Sequence, residues 1–221
     1  MGLKIIVCVK SVMMDAPAGR AIRSVENCAL NPFDRPALEL ALNLREANGG
    51  TVTALSMGPD ASRSALLESM AMGVNKAVLL KDPALAGSDT LATSRALCAV
   101  LKTLTPFDLL LFGIRTADSD SGQVGPQTAV GMNLPLITFA RTVQHQKGTL
   151  SVTRRCDGLL EEYRVTLPAA LTVHPKAVQA RHIGLTGIES AYKKGKIKLY
   201  FVNNPTSNAP VVPPTIRPSP V

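Results

Sequence analysis

The sequence predicts an α/β protein: a doubly wound, mostly parallel sheet with an antiparallel ribbon and a C-terminal arm. Three observations predict it. Residues 3–9, LKIIVCV, form a continuous aliphatic and β-branched run, the pattern of a strand buried on both faces. Strand-like and helix-like segments then alternate four times. Glycine-rich or small polar segments recur where the predicted strands end, which is where ligands bind in such sheets.

Each element has its own signature. The opening MGLKIIVCVK flanks a short apolar run with charges and lacks the n-region, long h-region and small-residue cleavage site of a signal peptide, so a first strand is expected. After a polar stretch to about Asn31, NPFDRPALELALNLREANGG predicts a helix. Pro36 suits its first turn, Gly49-Gly50 its end, and Leu38, Ala41, Leu42 and Leu44 one apolar face. Thr51–Ser56 is the second predicted strand and runs into MGPD. A helix over Ala61–Met72 is stopped by Gly73, and a short strand follows at Ala77–Leu80. GSDTLATSRALCAVLKTL opens on Ser and Asp, both N-cap residues, and continues with helical periodicity. Phe107–Phe112 is the fourth strand and leads directly to Gly113; Val124–Met132 predicts a helix and Leu136–Ala140 another strand. From about Val143 the pattern becomes alternating, with a turn at Asp157-Gly158, and closes on a strand at Ala169–Val173. The regular pattern weakens after Pro175. The expected division is an α/β domain over 1–180, an arm over 181–200, and a Pro-rich tail over 201–221 that is extended or disordered.

Composition narrows the class. Of 221 residues 46% are hydrophobic, which favours a packed core over disorder; aromatics are 4% and Trp is absent, so that core is aliphatic. No apolar run reaches the ~20 residues of a membrane span. Cys8, Cys28, Cys98 and Cys156 form no CxxC, and His145, His174 and His182 have no ligand spacing, which argues against a disulfide framework or zinc site and for a reducing, cytoplasmic setting. The net charge of +8 invites a nucleic-acid reading, but the densest cationic stretch lies late, at Lys193, Lys194, Lys196 and Lys198, without interleaved aromatics. An acidic protein or a cofactor is the expected partner.

Four segments carry candidate chemistry. In GIRTADSDSGQVGPQTA a predicted strand reaches Gly113, and small polar residues lead to a helix start whose N–H groups attract phosphate. Gln123 suits phosphate, ribose or base; Asp118 and Asp120 suit loop capping or ribose hydroxyls. An ordinary capped βα turn fits the same residues, and the segment is neither a Walker A nor a GxGxxG motif. In GSDTLATSRAL, Thr90 and Thr93 share a helix face beside Asp89 and suit one phosphate group, while for the segment alone a plain Ser/Asp N-cap with Thr93 inside the first turn is the favoured reading. In NPFD, Asn31 suits a helix cap or a ligand. In MGPD, the bare backbone at Met57, Gly58 and Pro59 suits packing on an adenine or flavin ring. GxSxG, HExxH and a sequence-adjacent Cys-His pair are all missing.

Read together, VCVKSV, NPFDRPALELAL, LSMGPD, LLESMAMGVNKAVLL, GSDTLATSRAL and DSDSGQVGP resemble, in order and spacing, the β subunit of electron-transfer flavoproteins, from Lys4 to about Lys198. The resemblance implies an adenine-nucleotide-hydrolase-like fold and a heterodimer with an α subunit that carries one FAD. It implies a second nucleotide site on this chain, extended to Cys8, Val9, Lys10 and Gly122. Members serving acyl-CoA dehydrogenases hold AMP there; bifurcating members hold a second FAD and oxidise NADH. Gln123-Val124-Gly125-Pro126 and GSDTLATS are similar to the FAD-type group, making Thr90 and Thr93 phosphate ligands and FAD the expected cofactor, with AMP as the alternative. The FAD-type loop commonly reads DGDTAQVGP; Ser119 and Ser121-Gly122 depart from it. The segment ARHIGLTGIESAYKKGK is similar to the family's recognition loop, with Leu185 at the position of the hydrophobic anchor that enters a partner dehydrogenase. Ser190 and Tyr192 stand where basic residues are usual. The implied role is an electron carrier, not a stand-alone enzyme. A nucleotide-sensing α/β protein without an α partner is the third class weighed.

Overall fold

The initial apolar run becomes β1 (Leu3–Cys8), and its side chains divide between two cores: Ile5 and Val7 pack to one face, Ile6 and Cys8 to the other. In this computed structural model, residues 2–13, 23–203 and 215–218 are described. A small hairpin, β2 (Ser11–Met13) with β3 (Cys28–Leu30), precedes α1 (Arg35–Asn48). There follow β4 (Gly50–Met57), a 3₁₀ turn at Asp60–Ser62, α2 (Arg63–Ala71), β5 (Lys76–Leu80) and α3 (Thr90–Thr103). Next come β6 (Leu109–Gly113), α4 (Val124–Gly131) and β7 (Leu136–Ala140). The ribbon is β8 (Thr142–Gln146), β9 (Thr149–Cys156) and β10 (Leu159–Thr166), and β11 (Ala169–Val173) returns to the main sheet. The chain continues through α5 (Leu185–Lys194), β12 (Ile197–Asn203) and β13 (Thr215–Pro218).

The main sheet has the order β13-β12-β5-β4-β1-β6-β11-β7, with β13 antiparallel at its edge and the other neighbours parallel. The chain winds from β1 outward through β4 and β5, then crosses back to β6 on the other side. This places the switch of direction between β1 and β6, where a crevice opens at the carboxyl ends of the strands. Leu38, Leu42 and Leu66 of α1 and α2 cover one face; Leu97, Leu101 and Ala129 of α3 and α4 cover the other. Both faces are therefore filled, which is why β1, β6 and β11 read as largely apolar runs.

Between Pro175 and Asn203 the structure is more regular than the sequence pattern suggests. Residues 185–194 form a helix packed on α2, and Ile197–Asn203 joins the main sheet beside β5. The arm thus folds back onto the domain. In the Pro-rich tail, Thr215–Pro218 pairs with β12; residues 204–214 and 219–221 lie outside the described residues.

Candidate functional site

The crevice holds a cavity of about 570 Å³, within the size range of small-molecule sites. Its floor comes from the strand exits. Cys8 and Val9 leave β1, Leu55 and Met57 leave β4, and Phe112 and Gly113 leave β6. Its far walls are two helix starts. Asp89, Thr90 and Thr93 come from α3, and Gln123, Val124 and Gly125 from α4.

The two helix starts differ. At α3 the Asp89 side chain already caps the helix, accepting the Ala92 N–H at 2.7 Å. At α4 no side chain caps the helix, and Pro126 contributes no N–H. The first-turn N–H groups of Val124 and Gly125 have no partner within the helix, and both residues line the cavity. Gly125 also has a packing reason: a Cβ there would stand 3.1 Å from the Phe112 ring and 3.2 Å from Thr172, so a side chain needs those neighbours to give by a few tenths of an ångström.

Of the residues singled out in the sequence, Cys8, Val9, Lys10, Met57, Pro59, Asp89, Thr90, Thr93, Gly122, Gln123, Val124 and Gly125 line the cavity. Asn31, Gly58, Asp118, Asp120 and Pro126 do not. Their positions show what they do instead. Asn31 is fully buried and ties down the loop after β6: its Nδ2 donates to Arg115 O at 3.0 Å, and its Oδ1 accepts from Ala117 N at 3.2 Å. Asp118 closes that loop over the strand exits. It accepts from Lys10 Nζ at 2.8 Å and pairs with Arg23 at 3.2 Å. Partial burial works to raise the Asp118 carboxyl, but the Lys10 ammonium and neighbouring donors outweigh it and hold it at about 2. Asp120 sits at φ 51°, pairing with Arg115 at 3.2 Å. Gly58 occupies φ 154°, with a Cβ position only 2.2 Å from Ser62 Oγ, so the MGPD turn is closed to other residues.

Three charged lining residues were not among the expected site residues: Asp34, Arg23 and Arg115. Asp34 is 4% exposed and stands at the start of α1, but its side chain makes no cap there. It accepts instead from the Lys10 peptide N–H at 2.8 Å. Burial pushes its carboxyl up to about 7, against the hydrogen bonds that favour its ionised form. Burial likewise pushes the Cys8 thiol up, so Cys8 is an inert wall residue. Arg115 lies over the Phe33 ring, 4.6 Å from its centroid, at the rim.

An apolar floor, one uncapped helix start, a threonine pair and three cationic side chains meet in this cavity. A model of the electron transfer flavoprotein domain matches residues 20–199. The chain belongs to the electron transfer flavoprotein family. Its relatives include the electron transfer flavoprotein subunit beta of Thermoanaerobacterium thermosaccharolyticum, 37% identical over 188 residues that make up 85% of this chain and 72% of the relative. The subunit of the same name from Clostridium acetobutylicum is 35% identical over 208 residues, 91% of this chain and 80% of the relative. The caffeyl-CoA reductase-Etf complex subunit CarD of Acetobacterium woodii is 35% identical over 199 residues, 87% and 76% of the two chains. Membership of the electron transfer flavoprotein family makes electron transport the role of this chain, as a carrier subunit of the β type. Among the described residues no helix is long and apolar enough to cross a membrane, and no cluster of His, Cys, Asp and Glu suits a metal ion.

Proposed function

We propose that this β-type subunit holds FAD in the cavity at the β1/β6 crevice and, joined to an α subunit with its own FAD, relays electrons to or from a flavin dehydrogenase. The observation that carries this reading is the convergence of two helix starts on one cavity of about 570 Å³. A pyrophosphate offers two phosphates, and the α4 N–H groups and the Thr90–Thr93 pair offer two places for them. Leu55, Met57, Leu97 and Phe112 supply an apolar surface for a ring system. The residues present therefore fit the group. Bound flavin supplies the one- and two-electron chemistry. The protein's own part is to orient it, keep water from it with this apolar floor, and set its surroundings through Lys10, Arg23 and Arg115 at the rim.

A structural AMP is the second reading, favoured by the Asp89 carboxylate at the α3 start, which disfavours a phosphate there and leaves α4 as the single anchor. Relatives named as β subunits, one of a caffeyl-CoA reductase complex, support an α-subunit partner and a dehydrogenase acting on CoA esters. Electron entry from NADH with bifurcation is the extended form of the FAD reading and requires the second flavin. The free cysteines among the described residues fit a reducing cytoplasm. The nucleotide-sensor class lacks support now that the family is known.

The test is to purify the heterodimer, denature it and quantify both nucleotides. Two FAD per heterodimer is the expected count. One FAD with one AMP overturns the FAD reading and leaves the AMP one.

A further inference from the structure

Among the described residues, five charged side chains line the cavity: Lys10, Arg23, Asp34, Asp89 and Arg115. The two carboxylates have partners in the main chain, Asp34 in the Lys10 N–H and Asp89 in the Ala92 N–H. The three cations are all matched by carboxylates of the loop after β6, which do not themselves line the cavity. Asp118 takes two of them. Its Oδ1 accepts from Lys10 Nζ at 2.8 Å, and its Oδ2 accepts from Arg23 at 3.2 Å. Lys10 Nζ donates further to Ser119 Oγ at 3.3 Å, and Arg23 to Ser11 O at 3.1 Å. The carboxylate is itself held: the Ser119 N–H donates to it at 2.7 Å, and Asn31 accepts from the neighbouring Ala117 N–H at 3.2 Å. Asp120 takes the third cation, Arg115, but the Asp120 side chain is 61% exposed against 25% for Asp118, so solvent screens that pair more.

We propose that Asp118 is a specificity-determining residue of the cavity: by holding the charged ends of Lys10 and Arg23 it keeps them from a ligand's phosphates, and so disfavours nucleoside di- and triphosphates. This rests on the reading of the cavity as a nucleotide site, and goes beyond it by naming what limits the phosphate charge the site accepts. A cation already paired with a carboxylate offers little to a second anion, because the newcomer is drawn to the cation and repelled by its partner. The phosphate anchors that remain are neutral: the first-turn N–H groups of α4 and the Thr90 and Thr93 hydroxyls. Donors of this kind hold one or two phosphates by geometry and gain little from further charge on the ligand. Recognition then falls to the apolar floor and the ring system it covers, which suits a flavin or adenine nucleotide with few phosphates. Loss of the Asp118 carboxylate would leave the Lys10 ammonium and the Arg23 guanidinium without their anionic partner, at the edge of the same cavity.

The test is calorimetric titration of the full chain in its heterodimer, stripped of nucleotide, with adenosine, AMP, ADP, ATP and FAD at neutral pH without Mg²⁺, in low and in high salt. Wild type is expected to bind AMP, ADP and ATP within about threefold of one another. Asp118→Asn is expected to leave adenosine binding unchanged and to raise the ATP-to-AMP affinity ratio by about tenfold in low salt, with the gain fading in high salt. Asp118→Glu keeps the charge and is expected to keep the wild-type ratio. A wild type that already prefers ATP to AMP by about tenfold overturns the role, and that result needs no variant to fold. An Asp118→Asn chain whose affinities for adenosine and ATP fall together has lost the shape of its loop and nothing more, and overturns the role as well; so does an unchanged ratio. Wild type that binds neither FAD nor any adenine nucleotide overturns the nucleotide reading itself. FAD or AMP binding with no gain for ATP in Asp118→Asn overturns the specificity role alone.

Discussion

Thr90 and Thr93 carry the sharpest residue-scale consequence of the site. Both line the cavity, one turn apart on α3, and both hydroxyls suit phosphate oxygens. A hydrogen bond to a charged group contributes ~1.5–3 kcal/mol. Thr90→Val and Thr93→Val are each expected to weaken FAD binding by about tenfold, measured by fluorescence titration of the nucleotide-stripped heterodimer, with the melting curve unchanged. Arg181 makes a different kind of prediction. It forks onto the buried Glu39 at 2.9 and 3.0 Å and reaches Glu46 at 2.8 Å, tying the segment before α5 to α1. The Glu39 side chain is 7% exposed and that of Arg181 is 31% exposed. Breaking a fully buried pair costs ~3–5 kcal/mol, and the half-open Arg181 lowers that to about 2 kcal/mol for Arg181→Ala in a urea melt. Part of this chemistry was legible in the sequence and part was not. The Thr90–Thr93 pair and the QVGP start of α4 follow from local helix-start chemistry. The sequence does not single out Asp34, because only the fold brings the Lys10 peptide N–H to its side chain. Asn31 is buried by contacts more than eighty positions away, and no local pattern records that.

Elements show the same division. The strands β1, β5, β6 and β11 announce themselves because burial on both faces makes most of each an apolar run, and β4 does so through Val52, Ala54 and Leu55 between its hydroxyl residues. The β2–β3 hairpin has three residues per strand inside a polar stretch, too few for a period to form. The helix α5 has no clear periodic pattern for another reason. Its apolar residues do not all face inward: Leu185, Ile188 and Tyr192 are exposed, Ala191 alone is buried, and Gly187 interrupts the helical propensity. That glycine is what lets α5 reach α2. A Cβ at Gly187 would stand 2.4 Å from Ala71 O, a backbone atom that cannot swing aside. Gly187→Ala is therefore expected to displace α5 and destabilise the fold by about 1–3 kcal/mol in chemical denaturation, while the nucleotide count of the purified heterodimer stays the same.

At the scale of the whole molecule, pH and docking are the two levers. In the folded chain Asp34 holds its proton up to about 7, against an ordinary value of 3.8. Between those values the folded state binds more protons than the unfolded one, so stability falls as pH rises from about 4 to 7. Asp118 has the opposite sign. It stays ionised down to about 2, so its contribution is present above 3.8 and is lost as pH falls through 2. Tm is expected to decline from pH 5 to pH 8 in the wild type, and Asp34→Asn is expected to flatten that decline in a calorimetric series. For docking we propose Leu185, 85% exposed at the start of α5, as the contact residue. Leu185→Asp is expected to leave Tm within the range of ordinary surface changes, ~0.5 kcal/mol, and to slow electron transfer to a partner dehydrogenase in a coupled assay. An unchanged rate would remove Leu185 from the docking surface.

The position of α5 has one more consequence. It rides on α2, over the face of the sheet that α1 and α2 cover, while the cavity takes its helix walls from α3 and α4 on the opposite face. The sheet stands between those two helix layers. On the function proposed above, Leu185, Ile188 and Tyr192 can change to suit a new partner without touching any residue that lines the cavity, and the cavity can change without touching them.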